Sequence, residues 1–267
     1  MLAVLRHVIW RRQAGLLWWS LGTVAVAALL AVAYPTVSNN NELNKAFAGL
    51  PPSVQAALGL DPGSALTSPV GYLNSQYFAN ILPVMLLVFG IGLAAWATGG
   101  DESAGTLELL LANPVSRLRV AGERAGALLL LLGVLAAVSA ATLLVLAPST
   151  GLTRGLSAGH IVAADAAGGL LALTFATLTF AIGAWTGSRS LAISVSSALA
   201  VAGFVIEGIA AQVPALRPIR EASPWHWMLG SNPLQNGFQW HWWLLPFGIS
   251  LLLASLGIAR FRVRDLH

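Results

Sequence analysis

A short segment in the middle of the chain matches the sequence motif of serine hydrolases. Residues 155–159 read G-L-S-A-G, which matches G-x-S-x-G, and His160 and Asp165 follow closely. In a hydrolase the serine lies on a sharp turn between a strand and a helix, and its triad partners converge from elsewhere in the fold. Here the motif falls in a short loop between two long apolar blocks. We therefore interpret Ser157 and its small neighbours as the entrance of a helix.

Two acidic residues lie in apolar blocks, where a charge is costly. Glu207 lies about two turns from the end of one block, and Asp165 lies near the end of another. A carboxylate at that depth in a membrane needs a partner or water, and such residues mark substrate pathways. Each is therefore a candidate for a substrate path or a gate. The alternative, in which each acid reaches the interface or pairs with Arg217 or Arg220, stays open.

The sequence offers no support for nucleotide or metal chemistry. Lys45 is the only lysine and no G-x-x-x-x-G-K-[ST] run is present, so the chain cannot form a P-loop. The histidines show no H-E-x-x-H pattern or paired spacing, which argues against a metal site. Without cysteine, disulfides and thiolate catalysis are excluded. We expect no catalytic residue, no metal and no cofactor bound by this chain.

Composition places these residues in a membrane protein. Only 9% of the residues are charged and 57% are hydrophobic, whereas a soluble domain has about 25% charged residues. The formal net charge of +4 comes from arginines at the ends of apolar blocks. That distribution indicates contact with lipid headgroups and no nucleic acid partner.

The apolar residues fall into six blocks of a length that crosses about 30 Å of hydrocarbon. The predicted transmembrane helices are at about 14–34, 75–98, 120–147, 161–186, 191–213 and 241–259. The predicted fold is therefore an all-α membrane protein with six transmembrane helices in one transmembrane domain, 1–267.

Arginines predict the orientation of the spans. Both termini and the segments after the second and fourth blocks are rich in arginine, whereas the alternate segments carry only Lys45, Arg154, Arg217 and Arg220. By the positive-inside rule the N and C termini are cytoplasmic, which requires an even number of spans. Much Ala, Gly and Leu with a single lysine is typical of a GC-rich genome. We therefore expect a multi-pass protein of the plasma membrane, the bacterial inner membrane.

Three flanking segments add shorter elements. Leu2, Leu5 and Ile9 fall on one helical side, which predicts an N-terminal interfacial helix. The external segment 35–74 is polar and rich in turn signals, so we expect one or two short helices in it. Segment 214–240 carries several tryptophans and prolines, which favours an external re-entrant or interfacial piece before span 6.

The segment between the second and third blocks predicts a short cytoplasmic helix over 101–113. Asp101 can cap its N-terminus, Glu102 would lie at its positive end, and Asn113-Pro114 would end it. Its apolar stripe consists of Leu107, Leu110 and Leu111. Such a helix can lie on the membrane and face a cytoplasmic partner. A solvated connector is the alternative.

This segment also carries a family resemblance. Residues 102–117, ESAGTLELLLANPVSR, resemble the internal E…GT-x-E-x-LL…P-x-S/T-R segment of type-2 ABC exporter permeases, and 261–266, FRVRDL, is similar to their F-x-R-R-D-L tail. The resemblance covers the topology of the whole chain and implies that 101–113 is a coupling helix that docks on an ATPase. The residues it implies for coupling are Asp101, Glu102, Gly105, Thr106, Leu107, Glu108, Leu110, Leu111, Pro114 and Arg117. Val263 and Glu123-Arg124 depart from the family pattern, and we assign no function to them.

The resemblance implies the permease subunit of an ABC exporter. ATP and Mg would bind to separate nucleotide-binding ATPase subunits, and a second permease chain, identical or different, would complete the transporter. The apolar spans favour a hydrophobic or amphipathic cargo such as a drug, natural product or lipid, as in multidrug efflux. A membrane-embedded enzyme and a membrane scaffold without transport are the alternatives.

Overall fold

The structure, a computed structural model, describes residues 3–51, 54–55, 65–103, 116–210 and 213–263. Helices make up the regular structure of these ranges. In chain order they are α1 (Ala3–Ser38), α2 (Asn41–Ala48), α3 (Pro69–Leu73), α4 (Ile81–Ser103), α5 (Arg117–Thr150), α6 (Ala158–Thr186), α7 (Arg189–Ala210), α8 (Arg217–Glu221), α9 (Pro224–Leu229), α10 (Pro233–Asn236) and α11 (Trp240–Val263). A π turn, Asn74–Phe78, lies between α3 and α4, and a 3-10 turn, Pro214–Leu216, precedes α8.

Six segments of the described chain are long and apolar enough to cross a bilayer. They are Val4–Ser38, Pro69–Thr98, Leu118–Thr150, Ala158–Thr186, Arg189–Ala210 and Trp240–Phe261. Each overlaps one predicted block, so the all-helical fold with six spans is confirmed. Helices suit these blocks because a helix satisfies its own backbone hydrogen bonds where lipid offers no partner.

Consecutive spans alternate in direction, so α1, α5 and α7 begin at the end of the bundle where α4, α6 and α11 finish. We call this the terminal end. Contacts between distant residues hold it together: the Leu5 N–H donates to Glu123 Oε2 across 2.9 Å, and Phe261 packs against Ala121 and Ala184.

Helix α6 lies at the centre of the bundle and packs against α4, α5, α7 and α11. Two glycines allow the closest of these contacts. A Cβ at Gly183 would overlap Thr98 Oγ1 on α4, and one at Gly257 on α11 would lie 2.7 Å from Phe180 Cδ1. Gly122 and Gly126 on α5, by contrast, would meet nothing within 4 Å, so no close helix contact among the described residues depends on them.

The N-terminal segment is part of the first span. Helix α1 runs without a break from Ala3–Ser38, and Val4 and Val8 are buried. A separate helix before the first span is therefore not seen in the described residues, and whether the first turns of α1 lie in the headgroup region stays a prediction. No proline or glycine occurs before Gly15, so nothing in the local sequence ends a helix there.

The second span extends further than the apolar block suggests. Helix α4 continues to Ser103, so Asp101 and Glu102 lie in its last turn, and the prediction that Asp101 begins a new helix is wrong. Two glycines at 99–100 weaken a helix by only about 1 kcal/mol each, which does not suffice to end it. The rest of the predicted coupling helix lies outside the described residues, including Gly105, Thr106, Leu107, Glu108, Leu110, Leu111 and Pro114. Arg117 is the first residue of α5, whose N-terminus Ser116 caps.

The two segments that we expect to be external contain short helices. Helix α2 lies in the first of them, as predicted. Between the fifth and sixth spans, α8, α9 and α10 pack against α6 or α7. The side chain of Trp225 on α9 is almost fully buried in this packing. Whether this segment re-enters the bilayer stays a prediction.

Candidate functional site

A chain of three hydrogen-bonded polar side chains crosses the interior of the bundle. Ser139 Oγ on α5 donates to Asp165 Oδ2 on α6 across 3.2 Å, and it lies 2.7 Å from Tyr77 Oη. Ser139 has a single hydroxyl proton, so the tyrosine is the donor in the second bond. Tyr77, Ser139 and Asp165 are 0%, 0% and 2% exposed. The chain therefore links three spans at one depth.

The π turn in the second span places Tyr77 in this chain. The N–H of Ala79 donates to the Asn74 carbonyl across 2.8 Å, five residues back, and Asn80 Nδ2 donates to the Ser75 carbonyl across 2.7 Å. An extra residue in one turn rotates the side chains that follow it, and such turns are frequent at functional sites. Tyr77 consequently points into the bundle.

A cavity of about 610 Å³ lies between α5, α6 and α11, and Asp165 forms part of its wall. Its apolar lining includes Leu129, Leu132, Ala136, Leu170, Leu244 and Phe247. Asp165 Oδ1 and the indole Nε1 of Trp243, which also lines the cavity, are buried without a hydrogen-bond partner in the described structure. Thr174 Oγ1 and Ser250 Oγ, 3.1 Å apart, hold α11 against α6 nearby. The wall of the cavity is therefore almost entirely apolar, and the residues Asp165 and Trp243 in it each carry one buried polar atom without a partner.

The second predicted acidic residue has a basic partner. Glu207 Oε1 accepts hydrogen bonds from Arg220 Nε and Nη2 across 3.1 and 2.8 Å, and His226 Nδ1 lies 3.4 Å away. The alternative interpretation of Glu207, pairing with Arg220, is what the structure shows. This cluster joins α7 to α8 and α9 at the end of the bundle opposite the terminal end.

Trp225 anchors α9 beside this cluster. Its indole Nε1 donates to the Ala200 carbonyl across 2.8 Å, and its ring lies 5.0 Å from that of Phe204. Gly203 provides the room, because a Cβ there would lie 2.8 Å from Trp225 Cδ1. An apolar groove of about 330 Å³ follows between α4 and α7. Arg220, His226 and Trp225 thus hold the short helices α8 and α9 on the fifth span.

The terminal end is fastened by residues to which we assigned no function. Glu123 Oε1 accepts from Arg119 Nε across 2.7 Å, while its Oε2 binds the backbone of α1. Arg124 is buried and donates from Nη1 to the Ala97 carbonyl on α4 across 2.7 Å. The Arg12 guanidinium lies 3.9 Å from the centre of the Trp96 ring. These contacts join α1, α4 and α5 at the end of the bundle where α4 finishes and α5 begins.

The G-x-S-x-G segment forms the entrance of a helix, as we interpreted it. Ser157 is the N-cap of α6, and its Oγ accepts from the His160 N–H across 3.3 Å. The preceding element is the helix α5 followed by a turn. Asp165 binds Ser139 instead of His160. The described residues therefore do not assemble a catalytic triad here.

The sequence reasoning found Asp165 and missed its partners. Ser139 is one of two hydroxyl residues in an otherwise apolar stretch, and that signal could have indicated a polar contact inside the membrane. Tyr77 and Trp243 lie near block ends, where aromatic residues usually mark the interface, so their roles depend on the packing. Asp165 and Glu207 belong to separate clusters.

Comparison with known proteins gives a match that covers the first five spans. The chain matches a family model described as "ABC-2 family transporter protein" over residues 12–225. The match includes Asp165, Glu207 and the segment 101–117. A comparison with curated proteins finds no match.

Proposed function

This chain belongs to the ABC-2 family of transporter proteins and is a permease of an ABC transporter, and we propose that it exports its substrate with energy from a separate ATPase. The observation that carries the proposal is the family match over most of the chain, residues 12–225. The six spans supply the membrane-embedded part that such a permease requires.

The absence of a P-loop in the sequence supports a separate ATPase. Lys45 is the only lysine, and it lies in the described helix α2 between the first two spans, where its Nζ contacts Glu42. Without a G-x-x-x-x-G-K-[ST] segment, the chain has no lysine to place on nucleotide phosphates. ATP and Mg would then bind to nucleotide-binding subunits that dock on this permease.

The packing of the terminal end offers a route for coupling. A nucleotide changes a conformational equilibrium only by the difference in its binding free energy between two states. We propose that an ATPase docks on segment 101–117 and passes that difference to the spans. Glu123 and Arg124 link α5 to α1 and α4, so a force on this segment acts on three helices together.

The orientation and assembly follow from the arginines and the family. Arginines at the terminal end favour a plasma membrane protein with cytoplasmic termini. A second permease chain, identical or different, would complete the transporter. The cargo would be hydrophobic or amphipathic, in keeping with the apolar cavity beside Asp165.

Co-purification tests the proposal. This chain is co-expressed with candidate ABC ATPases, purified in detergent and assayed for ATP hydrolysis, as wild type, as Glu102→Arg and as Glu42→Arg. Glu42 is a matched control because it lies in the external segment, with a side chain that is 82% exposed. We expect an ATPase to co-purify with wild type and Glu42→Arg and to be lost or uncoupled in Glu102→Arg.

Two other results of this experiment would contradict the proposal. Equal ATP hydrolysis in all three proteins would contradict coupling through this segment. No associated ATPase with any pairing would contradict the exporter and favour a membrane enzyme or a scaffold.

A further inference from the structure

The cavity beside Asp165 is chemically incomplete. Asp165 exposes only 2% of its surface, so water has little access to the carboxylate. Asp165 Oδ2 accepts a hydrogen bond from Ser139, whereas Oδ1 has no hydrogen-bond partner in the described structure. An unpaired buried carboxylate oxygen is strongly unfavourable, which means that a donor, above all a cationic one, would be stabilised beside it.

The other walls of the cavity restrict what that donor can be. Trp240, Trp243 and Phe247 present aromatic rings, which attract a cation over their faces. The unpaired Trp243 Nε1 offers one hydrogen bond to an acceptor. The remaining lining is apolar, and the volume of about 610 Å³ is in the range of small-molecule sites.

From these observations we propose that the cavity between α5, α6 and α11 binds a lipophilic amine. Asp165 Oδ1 and Trp243 Nε1 are buried in the structure, so both side chains turn toward the cavity when the amine binds. The ammonium then donates to Asp165 Oδ1, a neighbouring ether or hydroxyl oxygen accepts from Trp243 Nε1, and the apolar body packs along Leu129, Leu170 and Leu244. An anionic amphiphile is disfavoured because the described lining has no cationic side chain to pair with its charge, and a neutral alcohol offers a weaker, uncharged hydrogen bond.

The role of this amine as a transport substrate rests on the proposed exporter, whereas its binding to the cavity does not. Binding is therefore measured on the permease alone, in lipid nanodiscs without an ATPase. The probe is tritiated propranolol, a lipophilic secondary amine with neighbouring hydroxyl and ether oxygens. Dodecylamine, dodecanol and dodecanoate compete as cationic, neutral and anionic ligands of equal chain length.

Variants of the two polar residues test whether binding depends on the charge of Asp165 and on the indole N–H of Trp243. Asp165→Asn should weaken propranolol binding at least tenfold, and Trp243→Phe severalfold. Their controls are Glu42→Gln and Trp18→Phe, at positions where the side chains are 82% and 75% exposed. Dodecylamine should compete best, and dodecanoate should not compete.

A second pair of variants decides the matter if Asp165→Asn does not fold. Gly133 lines the cavity and Gly126 does not, although both lie on α5 and a Cβ at either would meet nothing within 4 Å. Gly133→Phe should fill the cavity and abolish binding, while Gly126→Phe should bind as wild type does.

Two results would overturn the site: equal binding by wild type and Gly133→Phe, or competition by dodecanol and dodecanoate as strong as that by dodecylamine. Either result leaves the exporter untouched. Conversely, failure to find an ATPase partner would contradict the exporter and leave propranolol binding as it was measured.

Discussion

The Arg124 guanidinium donates a hydrogen bond from Nη1 to the backbone carbonyl of Ala97 across 2.7 Å. This bond joins the first turns of α5 to the last turns of α4, and Ala97 lies four residues, about one helical turn, before Asp101. Arg124 is 3% exposed, and a guanidinium stays charged even when buried. The bond therefore joins the two helices that flank, in the sequence, the segment on which we propose that the ATPase docks.

We expect Arg124→Leu to destabilise the permease by about 1.5–3 kcal/mol, the range for hydrogen bonds to charged groups. ATP hydrolysis by the complex should also become insensitive to transport substrate. Arg124→Lys should restore part of the stability, because lysine keeps the charge without the planar fork. Thermal unfolding in detergent and ATPase assays measure both effects. Arg154→Leu is the control, an exposed arginine at the opposite end of the bundle; equal losses in the two leucine variants would contradict this role.

Replacement of Gly183 should disturb the contact between α4 and α6. A Cβ there overlaps Thr98 Oγ1, so Gly183→Ala should cost about 1–3 kcal/mol through overpacking. Gly126→Ala, on α5 with open space around it, should be neutral or stabilising. The melting temperatures of the two purified variants test this difference. Thr98→Ser combined with Gly183→Ala should recover little, because the hydroxyl that clashes is still present.

The buried chain of Tyr77, Ser139 and Asp165 should respond most to loss of its central member. Ser139→Ala leaves the Tyr77 hydroxyl and Asp165 Oδ2 without partners, which costs about 1–3 kcal/mol for each unsatisfied group. Tyr77→Phe removes only the terminal donor, so its cost should be smaller. Thermal unfolding of both variants gives the order, and a larger loss for Tyr77→Phe would contradict it.

The pair Glu207 and Arg220 should be energetically coupled. Glu207→Gln, Arg220→Met and the double variant form a cycle, for which we expect a coupling of about 1 kcal/mol or more. The value is below that of a fully buried pair because the Arg220 side chain is 33% exposed. The exposed pair Glu42 and Lys45 is the control, with a coupling near zero.

Glu207→Ala then separates structure from transport. If Glu207 also lines a substrate path, this variant should assemble with its partners but export less substrate than wild type. Normal export by an assembled Glu207→Ala transporter would restrict Glu207 to its contact with Arg220.

The number and nature of the spans were predictable from the sequence because they depend on local composition. A block of about 20 apolar residues in lipid has few alternatives to a helix. The position of Ser157 at the entrance of a helix was also predictable, because the start of a helix depends on its nearest neighbours. Asp101 carries the same kind of local signal. The prediction of a helix start failed there because α4 continues through Asp101.

Sequence alone thus determined a six-helix membrane bundle, the lack of a P-loop and the family resemblance, all of which are written in residue types and short spacings. Only the tertiary structure decided that Asp165 meets Ser139 and Tyr77 beside an apolar cavity, that Glu207 meets Arg220, and that Arg124 reaches Ala97. The residues in these contacts lie 13 to 62 positions apart. These contacts depend on how each helix is rotated and how deep it lies against its neighbours. The packing of small residues such as Gly183 determines that arrangement, and local sequence does not encode it.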